Sequence, residues 1–163
     1  MRLKLAALGA LVVVAGLAMV FLVGSEESRV RARVTAAAEA LSGRAGEGDL
    51  DRLARLAGFA KGLAPDVEVE TGPGGPSIRG RDAVAAVASQ LAAGGSPQIT
   101  VSDVTVALDD SRSRATVTAL VHVTSATPGP ASSRDGDVVR IELVKNGDQW
   151  LIARAAPEAA LAR

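Results

Sequence analysis

Lys145-Asn146-Gly147-Asp148-Gln149-Trp150-Leu151-Ile152 decides the fold of this chain. An Asn-Gly pair between alternating apolar runs is the strongest short-range hairpin signal. A two-residue turn at Asn146-Gly147 pairs Lys145 with Asp148 and Leu143 with Trp150. One face then carries Val139, Ile141, Leu143, Trp150 and Ile152, and the other Arg140, Glu142, Gln149 and Leu151. The first is the core face, because register and burial are coupled through the period of two.

Upstream the pattern continues. Ala115, Val117, Ala119, Val121 and Val123 alternate with Thr116, Thr118, Leu120, His122 and Thr124, a strand with one apolar face. Before it, Ile99 and Val101 share one phase and Val104, Val106 and Leu108 the opposite one. The slip at Ser102-Asp103 predicts a β-bulge in a long, bent strand. Asp109-Asp110-Ser111 is a turn, and the Pro/Gly/Ser-rich residues 127–136 form a loop.

The first half is helical. Val30, Val34, Ala37, Ala38 and Leu41 recur at three- and four-residue steps within residues 25–42. Arg29, Arg31 and Arg33 take other faces, as a solvated surface or as contacts to phospholipid headgroups. Asp49 reads as the N-cap of a second helix with Leu50, Leu53, Leu56, Ala57, Ala60 and Leu63 on one side. That helix ends before Pro65, and Asp66 begins a short strand. Val84, Val87, Ala88 and Leu91 mark a third helix, stopped by Gly94-Gly95. Helices followed by antiparallel strands make an α+β order.

The start of the chain is different. Leu5 to Gly24 holds no charged residue, behind a basic Met1-Arg2-Leu3-Lys4. About 20 apolar residues are enough to cross a bilayer as a helix. Residues 1–24 are read as a single-pass transmembrane anchor, residues 25–156 as the domain and residues 157–163 as a C-terminal tail. A cleaved signal is the alternative, disfavoured by Leu22 at the −3 position before a cut after Gly24. Arg2 and Lys4 favour an extracytoplasmic domain, while Arg29, Arg31 and Arg33 oppose it.

Composition excludes several chemistries. No cysteine is present, so disulfides, thiolate metal sites and cysteine nucleophiles are ruled out. Apart from Arg2 and Lys4, 16 basic side chains face 18 acidic ones. This argues against nucleic acid as a partner, because the phosphate backbone rewards a basic excess.

Three stretches carry a family resemblance: Leu63 to Val67, the exit from helix two; Ile78-Arg79-Gly80-Arg81-Asp82-Ala83-Val84, leading into helix three; and the hairpin 145–152. Together they resemble the nuclear transport factor 2-like (SnoaL-like) superfamily over residues 26–156. The resemblance implies a cystatin-like cone, three helices wrapped by a bent, mainly antiparallel sheet. The superfamily includes isomerases, dehydratases and many non-enzymatic modules, so the fold alone does not choose a function. This chain has no tyrosine, and therefore lacks the tyrosine-based oxyanion hole of the family's isomerases.

Ligand-pocket candidates within such a cone are Asp66, Phe59, Trp150 and Arg154. Asp66 sits at a strand start near the mouth, and as a base it would need burial to raise its pKa. Arg154 follows Trp150 and Ile152 in phase and is expected to point inward. His122 is the sole histidine and cannot make a multi-histidine metal site. With Thr118 and Leu120 it forms a candidate homodimer face on the sheet. No catalytic residue, metal ligand or cofactor is assigned. The expectation is a membrane-anchored, non-catalytic module binding a small apolar ligand or a protein partner. A small lyase or isomerase, and a secreted domain after signal cleavage, are the alternatives.

Overall fold

The computed structural model describes residues 26–44, 46–72, 75–93, 97–124 and 136–158. No helix among them is long and apolar enough to cross a membrane. The anchor reading of residues 1–24 lies outside the described residues, as does the tail after residue 158.

Helix α1 covers residues 26–41. It is followed by α2 (Asp49–Lys61), β1 (Leu63–Glu70), β2 (Ser77–Arg79) and α3 (Arg81–Ala93), then β3 (Gln98–Leu108), β4 (Arg114–Thr124), β5 (Asp137–Asn146) and β6 (Gln149–Pro157). The strands form one sheet in the order β2-β1-β6-β5-β4-β3. Every neighbouring pair is antiparallel except β1 and β6, which run parallel. This is the α+β order that the sequence implies, in the mainly antiparallel sheet that the family resemblance leads one to expect.

The bulge in β3 stands where the apolar phase slips. Ser102 pairs with Leu120 and Thr105 with Thr118, so Asp103 and Val104 together oppose one residue of β4. Asp103 takes the strain at φ +51°. Bulging frees the Val104 carbonyl, which accepts a 2.7 Å hydrogen bond from Arg31 Nη1. Arg31 thus fastens α1 to the bend of the sheet. Arg31→Ala should cost about 1 kcal/mol of unfolding free energy, the net worth of such a bond. Arg29→Ala, which removes only an exposed pair with Glu26, should cost less than about 0.5 kcal/mol. Urea unfolding of the two variants checks the difference.

The hairpin forms with a shifted turn. Asn146 pairs with Gln149, Lys145 with Trp150 and Leu143 with Ile152. The loop residues are therefore Gly147-Asp148, with Gly147 at φ +59°. A loop of this kind places its one positive φ on glycine, whereas Asn146-Gly147 would place one on asparagine as well. The register moves by an even number, so the two faces remain as expected.

A second bulge was not legible. Leu143 pairs with Ile152 but Glu142 with Arg154, leaving Ala153 unmatched. The phase of β6 reverses there. Ile152 and Ala155 both face the interior.

The N-cap of α2 lies one residue earlier than expected. Gly48 is the N-cap and makes no side-chain capping bond, while Asp49 lies in the first turn. Only the last half of its apolar stripe is buried. Leu56 and Phe59 enter the core, whereas Leu50 and Leu53 are 82% and 61% exposed. Strand β1 starts at Leu63, earlier than Asp66, and runs through Pro65. Its pairing with β6 is irregular between Leu63 and Glu68, which accommodates the missing proline N–H. Gly80, at φ +90°, turns the chain into α3, and Arg81 secures the start by donating to the Leu63 carbonyl at 2.6 and 3.0 Å.

Candidate functional site

Between the helices and the inner face of the sheet lies a cavity of about 330 Å³. Helix α1 contributes Val34, Ala37, Ala38 and Leu41; α2 contributes Phe59; α3 contributes Val84, Val87, Ala88 and Leu91. The sheet supplies Leu63, Val69, Ile78, Ile99, Val101, Val121, Val139, Ile141, Ile152 and Ala155. Thr71 is the single polar side chain among these described lining residues, and its hydroxyl already donates to the Pro76 carbonyl at 3.0 Å. Every isoleucine of the chain stands on this wall. Four alanines on the wall, three on α1 and α3 and one on β6, leave room that larger side chains would fill.

Of the four ligand-pocket candidates, Phe59 stands on this wall. The other three are placed elsewhere. Asp66 is exposed on the irregular, proline-containing part of β1. Arg154 does not point inward. The bulge at Ala153 turns it to the outer face, where Nη2 meets Glu70 Oε1 at 2.5 Å. The hydrogen bond and charge of Glu70 raise the pKa of that guanidinium.

Trp150 is buried at the hairpin end instead of the cone, with 2% of its surface exposed. Its indole Nε1 donates to Glu26 Oε2 at 2.8 Å, and Lys145 Nζ donates to Glu26 Oε1 at 2.8 Å. Glu26 therefore ties the first turn of α1 to both strands of the hairpin. The Lys145 hydrogen bond, followed by that of Trp150 and the charges of Lys145 and Arg29, holds the Glu26 carboxyl below its ordinary range. A depressed carboxyl stabilises the fold above the unfolded-state pKa, and this contribution is lost as pH falls through the folded-state value. Wild type should therefore lose more stability on acidification than Glu26→Gln does. Urea midpoints of both proteins across the acidic range check this.

On the outer face of the sheet, Thr118 lies opposite Arg140 and Leu120 opposite Val138. His122 is half-buried, its imidazole lying over Gly136, where a β-carbon would come within 2.6 Å of Cε1.

The sequence marks most of these residues as the apolar faces of separate helices and strands, but the emptiness between the elements leaves no trace in it.

The arrangement can bind but offers little chemistry. Proton transfer needs an ionisable group within hydrogen-bond reach of the reacting atom. None stands among the described lining residues. Nor does any group of three or more histidine or carboxylate side chains among the described residues make a metal site.

Comparison with known proteins places the fold. A protein of unknown function from Mycobacterium tuberculosis superposes with a TM-score of 0.64 at 22% identity, covering 81% of this chain and 74% of that one. A nuclear transport factor 2-like protein with a cystatin-like fold, from Novosphingobium aromaticivorans, gives 0.66 at 17%, covering 86% and 85%. A Streptomyces avermitilis protein described as a candidate dehydratase of the nuclear transport factor 2-like family gives 0.57 at 24%, covering 82% and 97%. At these identities the likeness shows the fold alone. No curated protein matches the sequence. The sequence model of the SnoaL-like domain matches residues 49–156, and the chain belongs to that family.

Proposed function

We propose that this domain binds a small apolar molecule inside the cone and does not transform it, and that residues 5–24 hold it at a membrane on the extracytoplasmic side. The observation that carries the binding reading is the cavity, hollow and apolar on every described wall except Thr71. At about 330 Å³ it is roughly twice the ~150 Å³ of a cavity known to take benzene, and falls within the usual range of ligand pockets. The membrane reading rests on the uncharged run from Leu5 to Gly24. Dehydratase chemistry, suggested by the name of the Streptomyces relative, would need an acid or base that the described wall does not supply.

The test is a fluorescence titration of the full chain with N,N-dimethyl-1-naphthylamine, a probe that is neutral at pH 7 and, scaled from the benzene cavity, the right size for the cone. Saturable, one-to-one binding is expected. Absence of saturable binding would refute the proposal.

The outer face supports a second contact, a homodimer through β4 and β5. Val138 is 40% exposed beside Leu120, an apolar pair facing away from the core. Leu120→Asp with His122→Asp should convert a dimer to a monomer in sedimentation velocity. An unchanged profile would count against this contact.

A further inference from the structure

The arginines of α1 and α2 have different fates. Arg29 pairs with Glu26, Arg31 with the bulge carbonyl of Val104, and Arg55 with both Glu47 oxygens at 2.7 Å. Arg33 has no hydrogen-bond acceptor or carboxylate partner among the described residues. Yet it is half-buried, and its Nη1 lies so close to Gly62 that a β-carbon there would come within 2.8 Å. The guanidinium is thus seated by packing, and no described residue matches its charge.

It borders a cleft of about 260 Å³ between α1 and α2. Ala36, Ala40, Gly58, Phe59 and Ile152 give this cleft an apolar floor. Arg55 forms another part of the wall, but Glu47 neutralises it, so among the described lining residues the net charge is that of Arg33. One cation above an apolar floor complements a monoanion with a hydrocarbon body. A dianionic phosphate would leave a charge unmatched in a partly desolvated site. Scaled from the ~150 Å³ that holds benzene, the volume takes about ten non-hydrogen atoms, the size of octanoate.

We propose that this cleft is a binding site for a medium-chain carboxylate, its head on Arg33 and its chain over Gly58 and Phe59. The site is separate from the cone, although Phe59, Ala37 and Ile152 line both.

The test compares octanoate with neutral octanamide on the full chain by isothermal titration. A charge-assisted bond should favour octanoate at least about tenfold. Arg33→Gln should bring the two ligands to parity with the unfolding midpoint unchanged. Ala88→Phe, which fills the cone, should leave the octanoate preference intact. Equal binding by the wild type, a preference that survives Arg33→Gln, or one that vanishes in Ala88→Phe would each overturn the proposal. Loss of N,N-dimethyl-1-naphthylamine binding in Ala88→Phe reports on the cone independently, so either reading can fail without the other.

Discussion

Trp150→Ala should destabilise the domain by about 3–5 kcal/mol, the usual cost of deleting a large buried aromatic side chain. Trp150 is 2% exposed, so its indole is almost wholly removed from water. Deletion also strands Glu26, whose Oε2 accepts the indole N–H. It removes the ring over which Lys145 Nζ sits at 5.9 Å as well. The damage should reach α1, because Glu26 is that helix's first described residue and α1 forms one wall of the cone. Glu26→Ala should cost about 2 kcal/mol by leaving a buried N–H unsatisfied. The double variant should cost less than the sum of the singles, since both remove the same bond. Urea unfolding followed by circular dichroism measures all three. A loss below about 1 kcal/mol for Trp150→Ala would mean that α1 is held by other contacts.

Ala88→Phe should abolish probe binding without the usual penalty for enlarging a core residue. Adding atoms to a close-packed core costs about 1–3 kcal/mol through forced side-chain strain. Ala88 is buried, but it faces the cavity from α3, where a phenyl ring has room to enter. Affinity for N,N-dimethyl-1-naphthylamine should fall at least about a hundredfold, because the bound molecule and the new ring need the same volume. The unfolding midpoint should hold or rise. A marked loss of stability would show that the cone is already filled.

Much of the fold was legible because strands write their phase in apolar residues. The slip between Val101 and Val104 announced the first bulge, since large side chains mark both phases. The second bulge hid in Ile152-Ala153-Arg154-Ala155-Ala156, where small alanines suit either face. That is why Arg154 was expected inside and lies outside. Leu50 and Leu53 mislead for another reason. Periodicity tells which side of a helix is apolar, not how far along the helix its partner extends.

The site was less legible than the fold. Phe59 stands on the cavity wall, but the cavity arises from volumes summed over elements far apart in sequence. The sequence points Trp150 into the cone because its partner, Glu26, lies 124 residues away and leaves no local trace.

The most direct measurement uses the isoleucines. Ile78, Ile99, Ile141 and Ile152 are all the isoleucines of the chain, and all line the cavity. In full-length protein labelled with carbon-13 at the isoleucine δ1-methyl groups, one equivalent of N,N-dimethyl-1-naphthylamine should shift every isoleucine methyl signal. It should also give intermolecular nuclear Overhauser effects to them. Methyl signals that stay in place while the probe is in excess would contradict a hollow, ligand-binding cone.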